Sequence, residues 1–402
     1  MDNTPHVVVV GGGPAGMVLA HLLARNAIAV TLLEIHADFE RDFRGDTIHA
    51  ATLEILDQLS LADGLLQLPH EKMHQAGIST PERHYPLAPF RHLKTRFPYV
   101  ALMPQSDFLE FLHTSSAAYP GYRCLRRAAA TGLLKEGETV RGVRYRHAGE
   151  EHELFADLVV ATDGRFSRMR KFAGLQAVSA DLTSDVAWCR VSPTADLQAA
   201  AGIHTHDGNI VVVLPRDDAL QLGCVFPKGD FGEIKRAGMA AYRDKIADTV
   251  PALRGHLASL EAWDDVHLLN IKSDCLSRWY VPGMLVIGDA AHVMSPVGGV
   301  GINCAIADAV ATANVLIPPL QSGGVDVEHL RAVQQRRMWP TRLVQRVQNL
   351  IQTRLVGQAL AGGPFKLPWL ARVILKIPGL RSIPARFLAF GARPERVARA
   401  LL

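Results

Sequence analysis

The chain has 402 residues, 48% hydrophobic and 20% charged, with 33 glycines and 23 prolines. That composition excludes a disordered or fibrous chain and suffices for two or three lobes around a sizeable core. A net charge of +4 is too small for a protein whose main partner is nucleic acid.

In chain order, the segment before Val7 lacks the basic region of a secretory signal. Val7–Val10 is a β-branched run suited to a buried parallel strand. Gly11, Gly12 and Gly13 punctuate it, a helical pattern follows through Met17, Leu19, Leu22 and Leu23, and Ala29–Glu34 reads as a second strand, completing a βαβ unit. Thr47–Leu59 reads as a helix, Gly77–Phe97 as an excursion rich in Pro, His and Arg, and Asp107–Leu112 as a further helix. Thr139–Arg146 and Glu151–Phe155 alternate as a hairpin, and Leu158–Thr162 is a buried strand ending at Asp163-Gly164. From Thr183 to Ser273 the texture becomes mostly antiparallel: strands at Val186–Val191, Ile210–Leu214, Leu220–Phe226 and Val266–Ile271, with one helix at Ile234–Thr249. Met284–Ile287 returns to a buried strand, Gly288–Gly301 is a glycine-rich loop and Asn303–Leu316 a helix.

The expected fold is α/β. A discontinuous Rossmann-like lobe (1–72, 98–178 and 274–345) carries an inserted, mostly antiparallel β-sheet lobe for substrate (73–97 and 179–273). A basic helical region, 346–402, ends the chain. The five cysteines, Cys124, Cys189, Cys224, Cys275 and Cys304, are odd in number and hold no CxxC pair. This argues against a disulfide framework or a zinc site and for a reducing, cytoplasmic setting. No uninterrupted run of 18 apolar residues occurs.

Three motifs carry chemistry. Gly11-Gly12-Gly13-Pro14-Ala15-Gly16 is a GxGxxG between a strand and a helix. Gly11 permits the tight turn, Gly13 the approach of a pyrophosphate, and Gly16 close helix–strand packing, with the helix N-terminus facing the phosphates. Glu34, ending the next strand, is placed to accept bonds from a ribose hydroxyl pair. Gly288-Asp289-Ala290-Ala291-His292, followed by Pro296, Gly299, Gly301 and Asn303, puts an aspartate suited to a polyol directly after a buried strand. A second helix then opens toward the same place, where its dipole favours negative charge. Thr162-Asp163-Gly164-Arg165-Phe166-Ser167 lies between the two.

In this order and spacing the motifs resemble those of the group A flavoprotein monooxygenases, the para-hydroxybenzoate hydroxylase family, over residues 5–345. The resemblance implies FAD. Gly11, Gly13, Pro14, Ala15, Gly16 and Glu34 would take its ADP half, and Arg44 a further contact. Gln105 stands where members often have an arginine, so one charge contact is weakened. Asp163 would serve both FAD and the nicotinamide donor. Gly288 and Asp289 would hold the ribityl chain. Pro296, Gly299, Val300, Gly301, Ile302 and Asn303 would face the isoalloxazine, with Val300 in place of a frequent glutamine. The implied reaction uses NADPH or NADH to reduce FAD. O2 then adds at C4a, and the hydroperoxide hydroxylates an aromatic or polycyclic small molecule. His49 is the preferred base, ahead of His204 and His206, and Asp46 and Pro296 lie with it near the reacting edge. His292 reads as a structural, cofactor-side histidine.

Trp188, Arg190, Val212 and Gln221, with Leu214 and Gly223, are candidates for the substrate face, in a register the sequence leaves open. Two other activities share the FAD lobe. One is a reductase or dehydrogenase of a hydrophobic isoprenoid-like or quinone substrate, which would incorporate no oxygen; the other is a non-catalytic FAD-binding protein, which would show no nicotinamide-driven turnover. From Arg342 to Leu402 there are eleven basic residues and one acid, Glu395, giving this stretch +10 against −6 for the rest. It reads as a helical cap on an acidic body, with peripheral membrane contact as the alternative.

Overall fold

The computed structural model describes residues 4–40, 47–180, 182–192, 201–216, 219–362, 377, 380 and 382–402. Its centre is a six-stranded sheet in the order Tyr280–Val281, Met284–Val286, Leu158–Ala161, His6–Val10, Ala29–Leu33, Tyr122–Leu125. All neighbours run parallel except the Tyr280–Val281 hairpin. Parallel strands inside a sheet are buried on both faces, which is why Val7–Val10, Leu158–Ala161 and Met284–Val286 read as unbroken apolar runs. Val10 pairs with both Leu33 and Ala161, and Ala161 with Val286. The carboxyl ends are therefore level, and Gly11, Glu34, Thr162 and Ile287 emerge along one edge.

Helices Pro14–Arg25 and Gly301–Ser322 pack on each other in the main core. The second is apolar all round, as a buried helix should be. By length and composition it could cross a membrane, but 72% of its apolar window is buried inside the fold.

A second sheet has seven strands, ordered His267–Leu269, Ser184–Val191, Leu220–Pro227, Asn209–Pro215, Gly202–His206, Gln75–Ser79, His84–Pro89. It is antiparallel except where Gly202–His206 runs parallel to Gln75–Ser79. One face, with Ala187, Cys189, Val211 and Leu222, packs beneath helix Met239–Thr249 through Tyr242 and Ile246.

Among the differences from the sequence reading are three helices. The helix expected over Ile234–Thr249 is two, Phe231–Ala237 and Met239–Thr249, because Gly238 takes φ +92° between them. The helix expected from Thr47 starts at Ala50, since Thr47–Ile48 pairs with Val100–Leu102. A long helix, Val327–Ile351, was not anticipated. Pro340 interrupts its pattern, and Arg337, Gln345 and Gln348 occupy its buried stripe. It opens on a capping box in which Asp326 accepts from the His329 N–H at 3.0 Å.

Candidate active site

At the level edge of the central sheet, Gly11 adopts φ +111°, and a Cβ there would stand 2.5 Å from the Thr162 carbonyl oxygen. Gly16 is tighter still: its Cβ would lie 2.0 Å from the Gly11 carbonyl oxygen and 2.7 Å from Thr162 Oγ1. Gly13 is the opposite case, with nothing within 4 Å of a built Cβ. The helix it caps has Pro14 at its start, no side-chain cap and no acid in its first turn, so its leading N–H groups face an anion site. The Glu34 carboxylate is fixed against this turn, accepting from the Gly12 N–H at 2.8 Å and the His36 N–H at 2.9 Å.

Both Asp163 oxygens serve the short helix Arg168–Phe172. Ser167 Oγ donates to Oδ1 at 2.6 Å, and the N–H groups of Arg168 and Met169 donate to Oδ2 at 2.8 and 3.0 Å. Burial raises this carboxyl, and the donors restrain the rise. Arg170 from the same helix braces the next loop, 3.3 Å from Asp274 and 3.4 Å from the Ala290 carbonyl. Thus the middle motif ties the other two together.

The Gly288-Asp289 turn sits between the starts of the two cradle helices. A Cβ on Gly288 would be 3.2 Å from Ala15 Cβ and 3.4 Å from Ala305 Cβ, so only small residues fit. The Gly288 N–H donates to Asp308 Oδ2 at 3.1 Å, His292 Nε2 donates to the same oxygen at 2.5 Å, and Arg337 Nε donates to Oδ1 at 2.7 Å. All these groups are buried. Burial alone would raise the Asp308 carboxyl; its interactions with His292 and Arg337 outweigh it and hold it below the ordinary carboxylate range. Two glutamines of the unanticipated helix clamp the loop backbone, and a third, in its extension, holds serine hydroxyls. Gln345 Nε2 donates to the Asp274 and Val293 carbonyls at 2.8 and 2.9 Å, and Gln348 Nε2 to the Ser295 and Val297 carbonyls at 2.8 Å. Gln352 bridges Ser184 and Ser295. Asp308, Arg337 and these glutamines were missed in the sequence. The signal was available: Gln345, Gln348 and Gln352 recur every three to four residues, on one helix face.

Pro296 is exposed at the loop tip, and Val300 is buried among Met294, Cys304 and Val344. Gly301 and Ile302 open the helix and Asn303 follows. Asn303 Oδ1 accepts from Thr52 Oγ1 at 2.7 Å, while its Nδ2 is buried with no partner. Gln105 is half-buried at the start of helix Gln105–Ser116. Arg44 and Asp46 lie outside the described residues. The open space at Gly13, the small residues around Gly288 and the orphaned Asn303 donor are what a dinucleotide lying along this edge would require.

His49, preceding helix Ala50–Gln58, is 1% exposed. Burial pushes it down to about 4, against the opposing backbone of Leu388 and Gly299. It is therefore neutral at pH 7 and a weak base there. His21, buried beside Ser116, is likewise lowered to about 4 by burial and then by Arg25. Folded values below the unfolded 6.5 mean that the unfolded chain binds more protons between about 4 and 6.5. Stability present above 6.5 is lost as the pH falls through that window, by about 1.4 kcal/mol per pH unit for each histidine. Urea unfolding at pH 7 and pH 5 checks this. The His49→Gln variant should lose less than the parent between them; an unchanged loss would remove His49 from the explanation.

On the seven-stranded sheet, Trp188 pairs with Gly223, Gly223 with Val212, and Val212 with Ile203; Arg190 pairs with Gln221, and Gln221 with Leu214. All four substrate candidates therefore share the face opposite helix Met239–Thr249. His204 pairs with Val211 and so falls, with His206, on the helix-covered side. The Trp188 ring lies over Gly223, where a Cβ would meet its carbons at 2.7–3.0 Å, and its Nε1 is buried without a partner. Gln221 accepts from Arg216 at 2.7 and 3.0 Å, and Arg190 is exposed. Ser184, on the same face as Trp188, is joined through Gln352 to Ser295, so this face looks toward the Pro296 loop.

The level strand ends, the glycine turn and the polyol-type aspartate define a dinucleotide-binding flavoprotein. A model of the FAD binding domain family matches residues 4–347, and the chain belongs to that family, among the group A FAD-dependent monooxygenases. It is 33% identical over 397 residues, 97% of this chain and 93% of the relative, to a 6-methylpretetramide 4-monooxygenase of Streptomyces rimosus. It is 28% identical to a rifampicin monooxygenase of Streptomyces venezuelae over 75% of this chain, spanning 62% of that longer relative. Among solved structures, the anhydrotetracycline hydroxylase OxyS of Streptomyces rimosus superposes with a TM-score of 0.75 at 21% identity, over 98% of this chain and 77% of that one. The protein is an FAD-dependent monooxygenase that uses NADPH or NADH as electron donor.

Proposed function

We propose that this monooxygenase hydroxylates a planar, polycyclic phenolic substrate held against the Trp188 face of the seven-stranded sheet. The observation that carries this reading is the indole packed over Gly223 with a buried, unpartnered Nε1. A flat aromatic platform suits fused rings, and the orphaned N–H would bond a ring carbonyl or phenol oxygen. The 33% relative, whose name specifies a 6-methylpretetramide, supports the same class.

When bound, FAD supplies the electron transfer and the activation of O2. The chain supplies the rest. Helix starts at Pro14 and Gly301 would stabilise negative charge on the bound cofactor. Glu34 and Asp289 would hold its ribose and ribityl hydroxyls. The Ser295–Asn303 loop, clamped by Gln348 and Gln352, holds one wall of the reaction space opposite Trp188. Thr47 Oγ1 donates to the Gly299 carbonyl at 2.9 Å and steadies that turn, while neutral, buried His49 takes no proton at neutral pH.

The test is anaerobic reduction of the flavin by NADPH and NADH, followed by oxygen, with single-ring phenols and fused polycyclic phenols compared. Polycyclic phenols should accelerate bleaching of the flavin and yield hydroxylated product. Turnover confined to single-ring phenols would overturn the substrate class. Trp188→Ala should raise the KM for the polycycle roughly 10-fold, the worth of one aromatic stacking contact. kcat should stay within a few-fold, and Trp188→Phe, which keeps the ring but loses the N–H, should recover part of the loss. An unchanged KM would take Trp188 out of the site.

Residues 382–402 act as a cap in this reading; 363–376 of the basic region lie outside the described residues. Ala385, Ala389, Val397 and Leu401 are buried in the main core, and Arg386, Arg393, Arg396 and Arg399 face outward. The expected result with anionic liposomes at low salt is no cosedimentation; salt-sensitive binding would favour membrane contact instead.

A further inference from the structure

Glu395 is the single acid between Arg342 and Leu402, and it is 4% exposed. A carboxylate persists at such depth only when paired. Arg336 holds it with Nε at 3.1 and 3.0 Å and Nη2 at 2.5 Å, and Arg337 Nη1 stands 3.5 Å from Oε1. Arg337 presents its Nε to Asp308 at 2.7 Å, and Asp308 receives the Gly288 N–H and His292. An unbroken path of charge, two arginines balancing two carboxylates, thus runs from the C-terminal segment to the turn that carries Asp289.

The same segment fastens the bodies of the three helices that begin at the cradle. The Val397 N–H donates to Gln58 Oε1 at 2.9 Å, the Ala398 N–H to Asn314 Oδ1 at 2.8 Å, and Arg25 donates to the Leu402 carbonyl. Just upstream, helix Ser382–Phe390 lays Leu388 against the Pro296–Val300 loop. A Cβ on Gly298 would fall 2.5 Å from Leu388 Cδ1, and the Leu388 backbone faces His49.

We propose that Glu395 is a positioning residue for FAD: by docking the C-terminal segment onto Arg336 and Arg337 it holds Asp308 against Gly288 and His292, and so couples segment 382–402 to the cofactor cradle. Coupling of this kind is reciprocal: what the docked segment does for FAD affinity, FAD must do for docking. It concerns cofactor retention and does not depend on the substrate class.

Two measurements on the full-length protein test it. The first is amide hydrogen exchange of apoprotein with and without added FAD. Exchange at Val397 and Ala398 should slow on adding FAD, although neither residue lies at the cradle edge. The second is FAD titration, read by flavin fluorescence, of the parent, Glu395→Gln and Glu395→Asp. Glu395→Gln should weaken FAD binding at least 10-fold and abolish the FAD-dependent protection, and Glu395→Asp should recover part of both. If Glu395→Gln does not fold, Gln58→Ala, which removes only the acceptor of the Val397 N–H, should show the same paired losses to a smaller degree. Unaltered exchange across 382–402 on adding FAD to the parent, or a folded Glu395→Gln protein with a Kd within twofold of the parent, would overturn the proposal.

Discussion

Gly13→Val gives a folded protein that no longer retains FAD. Gly13 has φ −75° and ψ −177°, extended backbone that valine adopts readily, and nothing stands within 4 Å of its Cβ. The fold therefore loses only the helix-cap preference for glycine, about 1 kcal/mol. The added branches occupy the open space at the helix start through which, in the proposed cofactor site, a pyrophosphate would approach. Losing charge-assisted bonds worth about 3 kcal/mol weakens FAD binding roughly 100-fold. Gly16→Ala is the contrasting case, because its Cβ would meet the Gly11 carbonyl oxygen at 2.0 Å; strand and helix must separate, and the fold itself suffers. Thermal melts of the apoproteins and FAD titrations distinguish the two. A Gly13→Val protein that keeps its flavin would place the cofactor elsewhere.

Asp308→Ala should cost about 3–5 kcal/mol of stability, the range for removing one partner of a buried ion pair. The carboxylate is 0% exposed and receives the Gly288 N–H, His292 and Arg337. Its loss leaves Arg337 charged in the interior and the Gly288 amide unsatisfied. Replacing both charges at once, Asp308→Leu with Arg337→Met, should return more than half of that stability, since packed apolar residues avoid the desolvation cost. FAD affinity should stay low in the double variant, because the turn at Gly288 still lacks its acceptor. Urea unfolding and FAD titration of the three proteins report the two quantities separately. A double variant no more stable than Asp308→Ala would deny the pair its electrostatic character.

The FAD-binding lobe was readable because its determinants are local and physically severe. A strand ending in Gly11, a helix begun by Pro14 and a polyol-type Asp289 after a buried run each leave a short signature. The face proposed for substrate was half readable. Alternation identified Trp188, Arg190, Val212 and Gln221 as members of one set, yet the partner strands alone determine that they lie opposite helix Met239–Thr249 and that His204 and His206 do not join them. The supporting helix Val327–Ile351 was harder to read because polar residues take part of its buried face and Pro340 interrupts it. Arg337, Gln345 and Gln348 fill positions where apolar residues would have announced an amphipathic helix. Glu395 looked like a lone acid in a basic tail, and only the fold brings it to Arg336 and Arg337, 59 and 58 positions earlier in the chain.

The most direct measurement is turnover of the FAD-loaded protein with NADPH or NADH and a fused polycyclic phenol under 18O2, with mass spectrometry of the product. A monooxygenase places one 18O atom in the product and oxidises one nicotinamide per hydroxylation. Product free of 18O, formed at the expense of the nicotinamide, would contradict the account and identify a reductase or dehydrogenase built on the same flavin lobe.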